Sequence, residues 1–230
     1  MSWESEAPNW IAWARAPEHD AYWYYRDSFF DEILAPAGRA TLELGCGEGR
    51  VVRDLQELGH RVTGIDSAPS LVAAALELDP EGTYLVADAS ALPFDDGSFD
   101  LVVAYNSLMD FDDMPGAVAE AGRVLEGGGR FCICVTHPFF DSGEWESRAP
   151  NARFVVAGSY FGKRPFEGTF ERDGLTITFR GWCYPLGDYS RALEAAGFVI
   201  ERVREPVSAL EDPRHERVPL FLQVRALKPA

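Results

Sequence analysis

The sequence is poor in positive charge. Its 21 Lys and Arg residues stand against 37 Asp and Glu residues, which gives a formal net charge of −16 at pH 7. Proteins that bind nucleic acid neutralise phosphates with a basic patch or stripe, and none is present here. The charge therefore disfavours a nucleic-acid partner, although it leaves a protein substrate possible.

Long apolar runs are also lacking. The chain has no run of about 18 apolar residues and no basic-then-apolar leader. These absences predict a cytoplasmic protein without a membrane partner. The length of 230 residues suits one α/β domain, and an apolar content of 47% is sufficient for a core.

Cysteine is scarce, with residues at positions 46, 132, 134 and 183 only. Cys132 and Cys134 lie two apart in a predicted strand and so face the same way. Two residues of one strand make a poor disulfide, and no second pair completes a zinc site. We expect reduced thiols, as in other cytoplasmic proteins, and no metal site.

The most informative stretch is glycine-rich and runs from Ala40 to Arg50. Its first residues predict a short buried strand, and Gly45, Gly47 and Gly49 then form a tight turn. Apolar residues continue after the turn at helical spacing, which predicts a helix over 48–58. Such a turn lets a ligand approach the bare backbone and directs helix N–H groups toward it.

The third glycine of a dinucleotide-binding turn is missing. The pattern Gly-x-Gly-x-x-Gly requires glycine where this chain has Arg50, which argues against a nicotinamide cofactor. Two acids follow later predicted strands, Asp66 after 61–65 and Asp88 after 83–87. A carboxylate at the second strand end can accept both hydroxyls of a ribose. Asp88 can accept from an exocyclic amino group, with Ala89 packed beside the ring.

Together these motifs resemble those of class I S-adenosylmethionine-dependent methyltransferases, in particular the small-molecule groups of types 11 and 25. The resemblance rests on Leu42–Gly49 (LELGCGEG), Asp66, Asp88-Ala89 and Leu92–Val102 (LPFDDGSFDLV). It is dense from 41 to 135 and looser over 188–198 and 218–228. It implies S-adenosylmethionine as cofactor. It also implies an α/β fold: a Rossmann-like, seven-stranded, mostly parallel sheet with an antiparallel C-terminal strand.

The resemblance also implies a set of cofactor-binding residues: Glu43, Gly45, Cys46, Gly47, Asp66, Ser67, Asp88, Ala89, Tyr105 and Asn106. In the family pattern the backbone of the glycine turn approaches the adenosyl and methionine parts. The first acid, Glu43, reaches the methionine amino group directly or through water. The acid of the second strand holds the ribose, and the residue after it lies beside the adenine. The pair after the third strand reads the adenine edge, and the pair after the fourth contacts the methionine part.

The alternation of predicted elements indicates a parallel sheet with helices on both faces. Strands are expected near 40–44, 61–65, 83–87, 99–104, 130–136, 198–204 and 218–227, and helices near 48–58, 69–77, 114–125 and 188–196. We divide this single methyltransferase domain into an N-terminal helical lid (1–36), a cofactor-binding core (37–137), a substrate-cap insertion (138–187) and a C-terminal helix and strand pair (188–230).

The lid and the cap insertion are both rich in aromatic residues. In the lid, Tyr22, Tyr25 and Phe29 recur at helical spacing, with Asp20 placed to cap that helix. In the insertion, 169–172 and 175–179 predict a β-hairpin turning at Asp173-Gly174. Both segments are expected to cover the active site, the alternative being that they only pack on the sheet or lie at the surface.

Two histidines are candidates for a catalytic base, because histidine titrates near neutral pH. His137 follows the fifth strand at the ligand-binding edge of the sheet, and His19 precedes the aromatic helix. The alternatives are a structural histidine at either position and catalysis by positioning alone. After the fourth strand the chain reads Tyr105-Asn106-Ser107-Leu108, and not the Asn/Asp-Pro-Pro-aromatic pattern of similar enzymes that methylate nucleobase amines.

The sequence therefore predicts S-adenosylmethionine-dependent methyl transfer to an oxygen, nitrogen or carbon of a small-molecule acceptor, mainly by positioning in a dry site. One alternative is a protein that binds S-adenosylmethionine without transferring the methyl group. A less favoured alternative is a nicotinamide-dependent oxidoreductase. The expected assembly is a monomer or a homodimer.

Overall fold

The structure is a computed structural model that describes residues 3–207 and 213–230. The predicted polar link at 205–217 lies partly outside the described residues. So do the first two residues of the predicted lid.

Seven strands form the central sheet, in the order β10-β11-β5-β4-β1-β2-β3. They are β1 (Thr41–Leu44), β2 (Val62–Asp66), β3 (Thr83–Val86), β4 (Phe99–Tyr105), β5 (Leu125–Thr136), β10 (Val199–Arg204) and β11 (Phe221–Leu227). Strands β1 to β5 pair in parallel, whereas β11 is antiparallel to both β5 and β10. The predicted fold class, mostly parallel with one antiparallel C-terminal strand, is confirmed.

Six α-helices accompany the sheet in the described part of the chain: α1 (Ala7–Arg15), α2 (Tyr22–Ser28), α3 (Arg50–Glu57), α4 (Pro69–Leu78), α5 (Met114–Val124) and α6 (Leu186–Ala195). Helix α2 continues through a π-helical turn to Ile33, so the predicted aromatic helix is present. Asp20 accepts a hydrogen bond from the Tyr22 N–H at its start, at 3.0 Å. Helix α1 was not predicted from the sequence.

Alternating side chains of the strands divide the core into two layers. On β4, Val102 and Ala104 pack in the layer that contains α5 and α6. Leu101, Val103 and Tyr105 point the other way and pack with α2, α3 and α4. The period of two along each strand thus supplies an apolar surface to both helical layers. Because both faces are covered, the free strand ends are left as the place for a ligand.

The insertion forms two small antiparallel pairs. The first joins β6 (Gly143–Trp145) to β7 (Phe154–Val156), and the second joins β8 (Arg164–Arg172) to β9 (Leu175–Cys183). We call β8–β9 the cap hairpin, and it is longer than the predicted one. Its turn, Asp173-Gly174, has φ of 52° and 79°, as a two-residue hairpin turn of this twist requires. Arg180 of β9 bonds Glu6 of the lid at 3.1 Å, which joins the two covering segments.

The four cysteine thiols are buried and form no disulfide. In residues 3–207 and 213–230, no helix has both the length and the apolar character needed to cross a membrane.

Candidate active site

The glycine turn after β1 has positive φ angles, which are unfavourable for residues with a side chain. Gly45, Gly47 and Gly49 have φ of 71°, 56° and 85°. A Cβ at Gly45 would lie 2.6 Å from the Cβ of Ser107, and one at Gly47 would lie 2.9 Å from Nε1 of Trp10. Neighbouring side chains of the protein therefore approach the bare backbone closely, and a side chain at either glycine would collide with them.

Asp66 at the end of β2 is joined to this turn. Its carboxylate accepts hydrogen bonds from the Gly47 N–H and the Ala68 N–H, both at 2.9 Å. The side chain is 9% exposed, and burial raises its pKa above the ordinary value. The Ser67 N–H also acts on this carboxylate as a hydrogen-bond donor, and the carboxylate has further acceptor capacity beyond these three bonds. The structure thus brings the predicted ribose acid and the glycine turn together.

The predicted adenine pair follows β3, the next strand of the sheet. The Ala87 N–H bonds the Asp66 carbonyl at 3.0 Å, which places the two strand ends side by side. Asp88 is exposed, and its Oδ1 accepts from the N–H and the hydroxyl of Ser90 at 2.8 and 2.7 Å. Ala89 is buried, whereas Ser67 beside Asp66 is exposed. Asp66, Ser67, Asp88 and Ala89 thus lie at the carboxyl ends of β2 and β3, in the order in which the sequence predicts them.

Glu43 is the most unusual group of the site. Its side chain is 1% exposed, and Oε2 has no hydrogen-bond partner among the residues that the structure describes. Burial, followed by the nearby charge of Asp66, raises its pKa well above the ordinary value. An ionised carboxylate so placed requires a cation or a donor. A ligand ammonium group would supply both.

After β4, Asn106 has φ of 52°, which is uncommon for a residue with a side chain. Its N–H bonds the Cys134 carbonyl at 2.8 Å, while its Oδ1 is buried without a partner in the described structure. Such strain is often found at functional sites. Tyr105 before it turns toward the lid, with its ring 5.3 Å from that of Tyr22 and 5.0 Å from that of Phe29.

Arg50, the residue that replaces the third glycine, attaches the lid to the glycine turn. Its guanidinium lies 4.2 Å from the centroid of the Tyr22 ring and 5.1 Å from that of Trp10. It also forms an ion pair with Asp20 at 2.7 Å. Because these contacts join residues 28 to 40 positions apart, no local sequence pattern indicates them.

His137 follows β5, as predicted, but both of its ring nitrogens are used by protein groups. Nδ1 lies 3.0 Å from the Phe139 N–H and accepts from it, so Nε2 carries the proton and donates to Glu205 at 2.8 Å. Its backbone N–H bonds the Leu220 carbonyl at 2.8 Å. None of these contacts involves the glycine turn or the predicted cofactor acids, and the arrangement favours a structural role.

We therefore expect His137→Ala to lower the melting temperature and to leave turnover per folded molecule nearly unchanged. Loss of the two ring hydrogen bonds costs about 1–3 kcal/mol in stability. Thermal unfolding and initial rates measured on the same preparation check this. A fall in turnover of 10²-fold or more with an unchanged melting temperature would instead make His137 the base.

His19 lies between the lid and the tip of the cap hairpin. Its ring meets that of Trp13 edge-on at 4.2 Å, and Nδ1 is 3.6 Å from Asp173. The side chain is 4% exposed, and Nε2 has no partner in the part of the chain described here. The free nitrogen leaves a role in catalysis open, but the contacts of His19 are with the covering segments.

Sequence reasoning missed Asp110. It lies on a short 3-10 helix after β4, where the cap hairpin and the lid meet. Its only sequence signal was its position beyond a strand end of the predicted site. One acid among several in 110–113 does not stand out without the fold.

Comparisons with known proteins match the chain to methyltransferases. Residues 42–133 match the model of a methyltransferase domain. The chain is 29% identical to aklanonic acid methyltransferase DauC of Streptomyces sp. (strain C5) over 179 residues, which are 74% of this chain and 79% of that protein. It is 32% identical over 123 residues to demethylmenaquinone methyltransferase of Tropheryma whipplei (strain Twist), covering 52% of this chain and 50% of that one.

A similar solved structure is that of a putative S-adenosylmethionine-dependent methyltransferase from Listeria monocytogenes. The two superpose with a TM-score of 0.71 at 21% identity, covering 90% of this chain and 98% of that one. At this identity the likeness concerns the fold. The chain spans only about half the length of the demethylmenaquinone enzyme.

Proposed function

We propose that the chain is a class I S-adenosylmethionine-dependent methyltransferase and that it methylates a small-molecule acceptor held between the strand ends, the lid and the cap hairpin. The observation that carries this proposal is the buried carboxylate of Glu43 beside the glycine turn, whose Oε2 has no hydrogen-bond partner in the described structure. A cationic ligand is what such a group needs.

The residues of the site fit the cofactor part by part. Glu43 would hold the methionine ammonium group, and the Asp66 carboxylate would accept hydrogen bonds from the ribose hydroxyls. Asp88 and Ala89 would read the adenine edge, with Ser67 beside the ring. Gly45, Cys46 and Gly47 would present bare backbone, and Tyr105 and Asn106 would contact the methionine part. Bound S-adenosylmethionine supplies a methyl group on a positively charged sulfur.

The chain's contribution to the rate is chiefly positioning and the exclusion of water. An acceptor held in line and close reacts much faster than one free in solution. Trp10 lies over Gly47, and Arg50 holds the lid to the turn through Tyr22 and Asp20. These contacts would keep the reacting atoms dry, which strengthens every electrostatic interaction inside the site.

The acceptor is proposed to be a small molecule and not a nucleic acid. The net charge of −16 would repel a phosphate backbone. The names of the relatives, which refer to aklanonic acid and demethylmenaquinone, support an organic metabolite as the acceptor class. Whether the acceptor atom is oxygen, nitrogen or carbon is the question that the experiment below answers.

The direct test is a screen of phenols, amines, carboxylic acids and activated carbon acids with S-adenosylmethionine labelled in its methyl group. A labelled product formed only with enzyme supports methyl transfer and identifies the atom. Tight cofactor binding without a product from any class would favour the alternative, a protein that binds S-adenosylmethionine without transferring its methyl group.

A simpler measurement tests the cofactor. We expect S-adenosylmethionine and S-adenosylhomocysteine to bind, and NAD not to bind. Arg50 occupies the position where a pyrophosphate-binding turn needs glycine, and its side chain is fixed against Tyr22 and Asp20. Isothermal calorimetry of the three ligands checks this. Tight binding of NAD with no binding of S-adenosylmethionine would restore the oxidoreductase alternative.

A further inference from the structure

An aromatic cluster joins the cap hairpin to the lid, with Phe179 of β9 at its centre. The Phe179 ring lies edge-on against three indole rings of the lid. The distances between ring centroids are 6.2 Å to Trp3, 6.1 Å to Trp10 and 6.3 Å to Trp13. On β8, Phe170 meets the same ring edge-on at 5.6 Å. Edge-to-face pairs are favourable beyond the area that they bury, so this single side chain contributes much of the contact between the two covering segments.

Polar contacts accompany the aromatic cluster along the hairpin. Arg180 forms its ion pair with Glu6, at 3.1 Å, just before α1 begins. At the hairpin turn, the Arg172 guanidinium donates to the His19 carbonyl, and Nδ1 of His19 lies 3.6 Å from Asp173. Glu6 precedes α1 in the sequence and His19 follows it, so the hairpin contacts the lid beyond both ends of this helix.

The lid in turn covers the predicted cofactor site. Trp10 lies so close to Gly47 that a Cβ on the glycine would be 2.9 Å from its Nε1. The lid also packs on Ala68, whose N–H bonds the Asp66 carboxylate. Glu43 and Asp66 are only 1% and 9% exposed. Because both carboxylates are buried, a ligand reaches them only after part of this cover has moved.

Residues 3–15 are the part of the lid that is set apart from the main core. Helix α2 packs in the core layer that contains α3 and α4, whereas Ala7 of α1 forms a separate small cluster with Ala68 and Leu71. Part of the remaining contact with α4 is an ion pair between Arg15 and Glu77 at 3.3 Å, and exposed pairs of this kind contribute little to stability. The contact with Phe179 is therefore a large part of what holds 3–15 in place.

We propose that the cap hairpin holds residues 3–15 closed over the cofactor site through Phe179, and that the cofactor enters and leaves only when this contact opens. This inference rests on the proposed function. Separation of Phe179 from the three indoles frees Trp10 to leave Gly47. Such a contact acts on the equilibrium between the closed and the open lid, so weakening it raises the rates of entry and of release together.

The rates of cofactor exchange test this proposal. Association and dissociation rate constants for S-adenosylhomocysteine are measured on the full chain by stopped-flow tryptophan fluorescence. Phe179→Ala should raise both rate constants by about 10-fold, because it removes the edge-to-face contacts with the lid. The affinity should stay within about 3-fold, because the contact holds the lid both with and without the ligand. Phe179→Leu keeps an apolar side chain and should raise both rate constants by about 3-fold.

Phe166→Ala is the matched control. It removes the same ring from the same hairpin, where Phe166 is 38% exposed and lies beside the hairpin's own Gly168. It should leave both rate constants unchanged. Native rate constants in a folded Phe179→Ala variant would overturn the inference. A rise in the dissociation rate alone would also overturn it, because Phe179 would then be a binding contact. Failure of S-adenosylhomocysteine to bind the native protein would instead contradict the proposed function.

Hydrogen exchange shows which segment opens. A nine-residue helix such as α1 is not stable by itself in water, so its amides exchange once it leaves the protein surface. In Phe179→Ala they should exchange about 10-fold faster, whereas the amides of α2, which packs in the main core, should keep their native rates. Equal acceleration in both helices would indicate a general loss of stability and would contradict a specific role of Phe179 in closing the lid.

Discussion

Asp66→Ala is expected to weaken S-adenosylmethionine binding by about 30- to 150-fold, which corresponds to about 2–3 kcal/mol. The reason is the loss of charge-assisted hydrogen bonds to the two ribose hydroxyls, each worth more than a neutral one. Isothermal calorimetry with S-adenosylhomocysteine, which is not consumed, gives the affinity directly. If a folded variant keeps the native affinity, the ribose assignment is wrong.

The structure adds a second effect to this variant. From its position at the end of a strand alone, Asp66→Ala is expected to leave the fold intact. However, the Asp66 carboxylate also holds the Gly47 and Ala68 N–H groups at 2.9 Å, and alanine leaves both without an acceptor. We therefore expect a lower melting temperature, from a loss of about 2 kcal/mol. Asp95→Ala removes the same charge from an exposed side chain and should change neither quantity.

Most of the fold could be predicted because each core element has its own local pattern. The helix after the glycine turn was expected at 48–58 and lies at Arg50–Glu57, and its start follows from Gly49 in the left-handed region. Strand β5 was expected at 130–136 but begins at Leu125. The prediction began too late because the glycines at 127–129 have little strand propensity. A register shift between Phe99 and Leu101 of β4 accommodates them.

The covering segments were harder to predict because their order depends on distant contacts. Helix α1 has a proline at its start and carries Trp10 over the glycine turn, a contact between residues 37 positions apart. The β6–β7 pair is only three residues long on each side and has no alternating pattern to mark it. Tertiary packing decides such segments more than local propensity does.

The predicted cofactor residues could be chosen from the sequence more readily than the catalytic residues, for a similar reason. The acids and glycines predicted to bind the cofactor follow strand ends in sequence order, so the motif alone is enough to predict them. A role in acceptor chemistry depends on which side chains are left unpartnered after folding. His137 is fully bonded in the structure, while Asp110 is not ion-paired in the part described, and neither property is visible in the sequence.

Glu43→Gln is expected to raise the melting temperature of the cofactor-free protein and to weaken cofactor binding. Its folded-state pKa is raised, so in the window above the ordinary value of 4.5 the folded protein holds a proton that the unfolded chain has released. Stability of the cofactor-free protein is then lost as the pH rises through that window. Glutamine is neutral at every pH. The variant should therefore melt at a higher temperature than the native protein at pH 8, with a difference that shrinks toward pH 5.

Cofactor binding should change in the other direction. The ionised carboxylate is the partner proposed for the methionine ammonium group, and its loss should weaken S-adenosylhomocysteine binding by about 10- to 150-fold, or 1.5–3 kcal/mol. The matched control is Glu48→Gln in the glycine turn that follows β1. Glu48 is equally buried but is paired with Arg53 at 3.0 Å and with Arg15 at 3.5 Å, so its variant should melt at a lower temperature. If Glu43→Gln and Glu48→Gln both lower the melting temperature at pH 8, Glu43 is not the unpaired charge that a cationic cofactor completes.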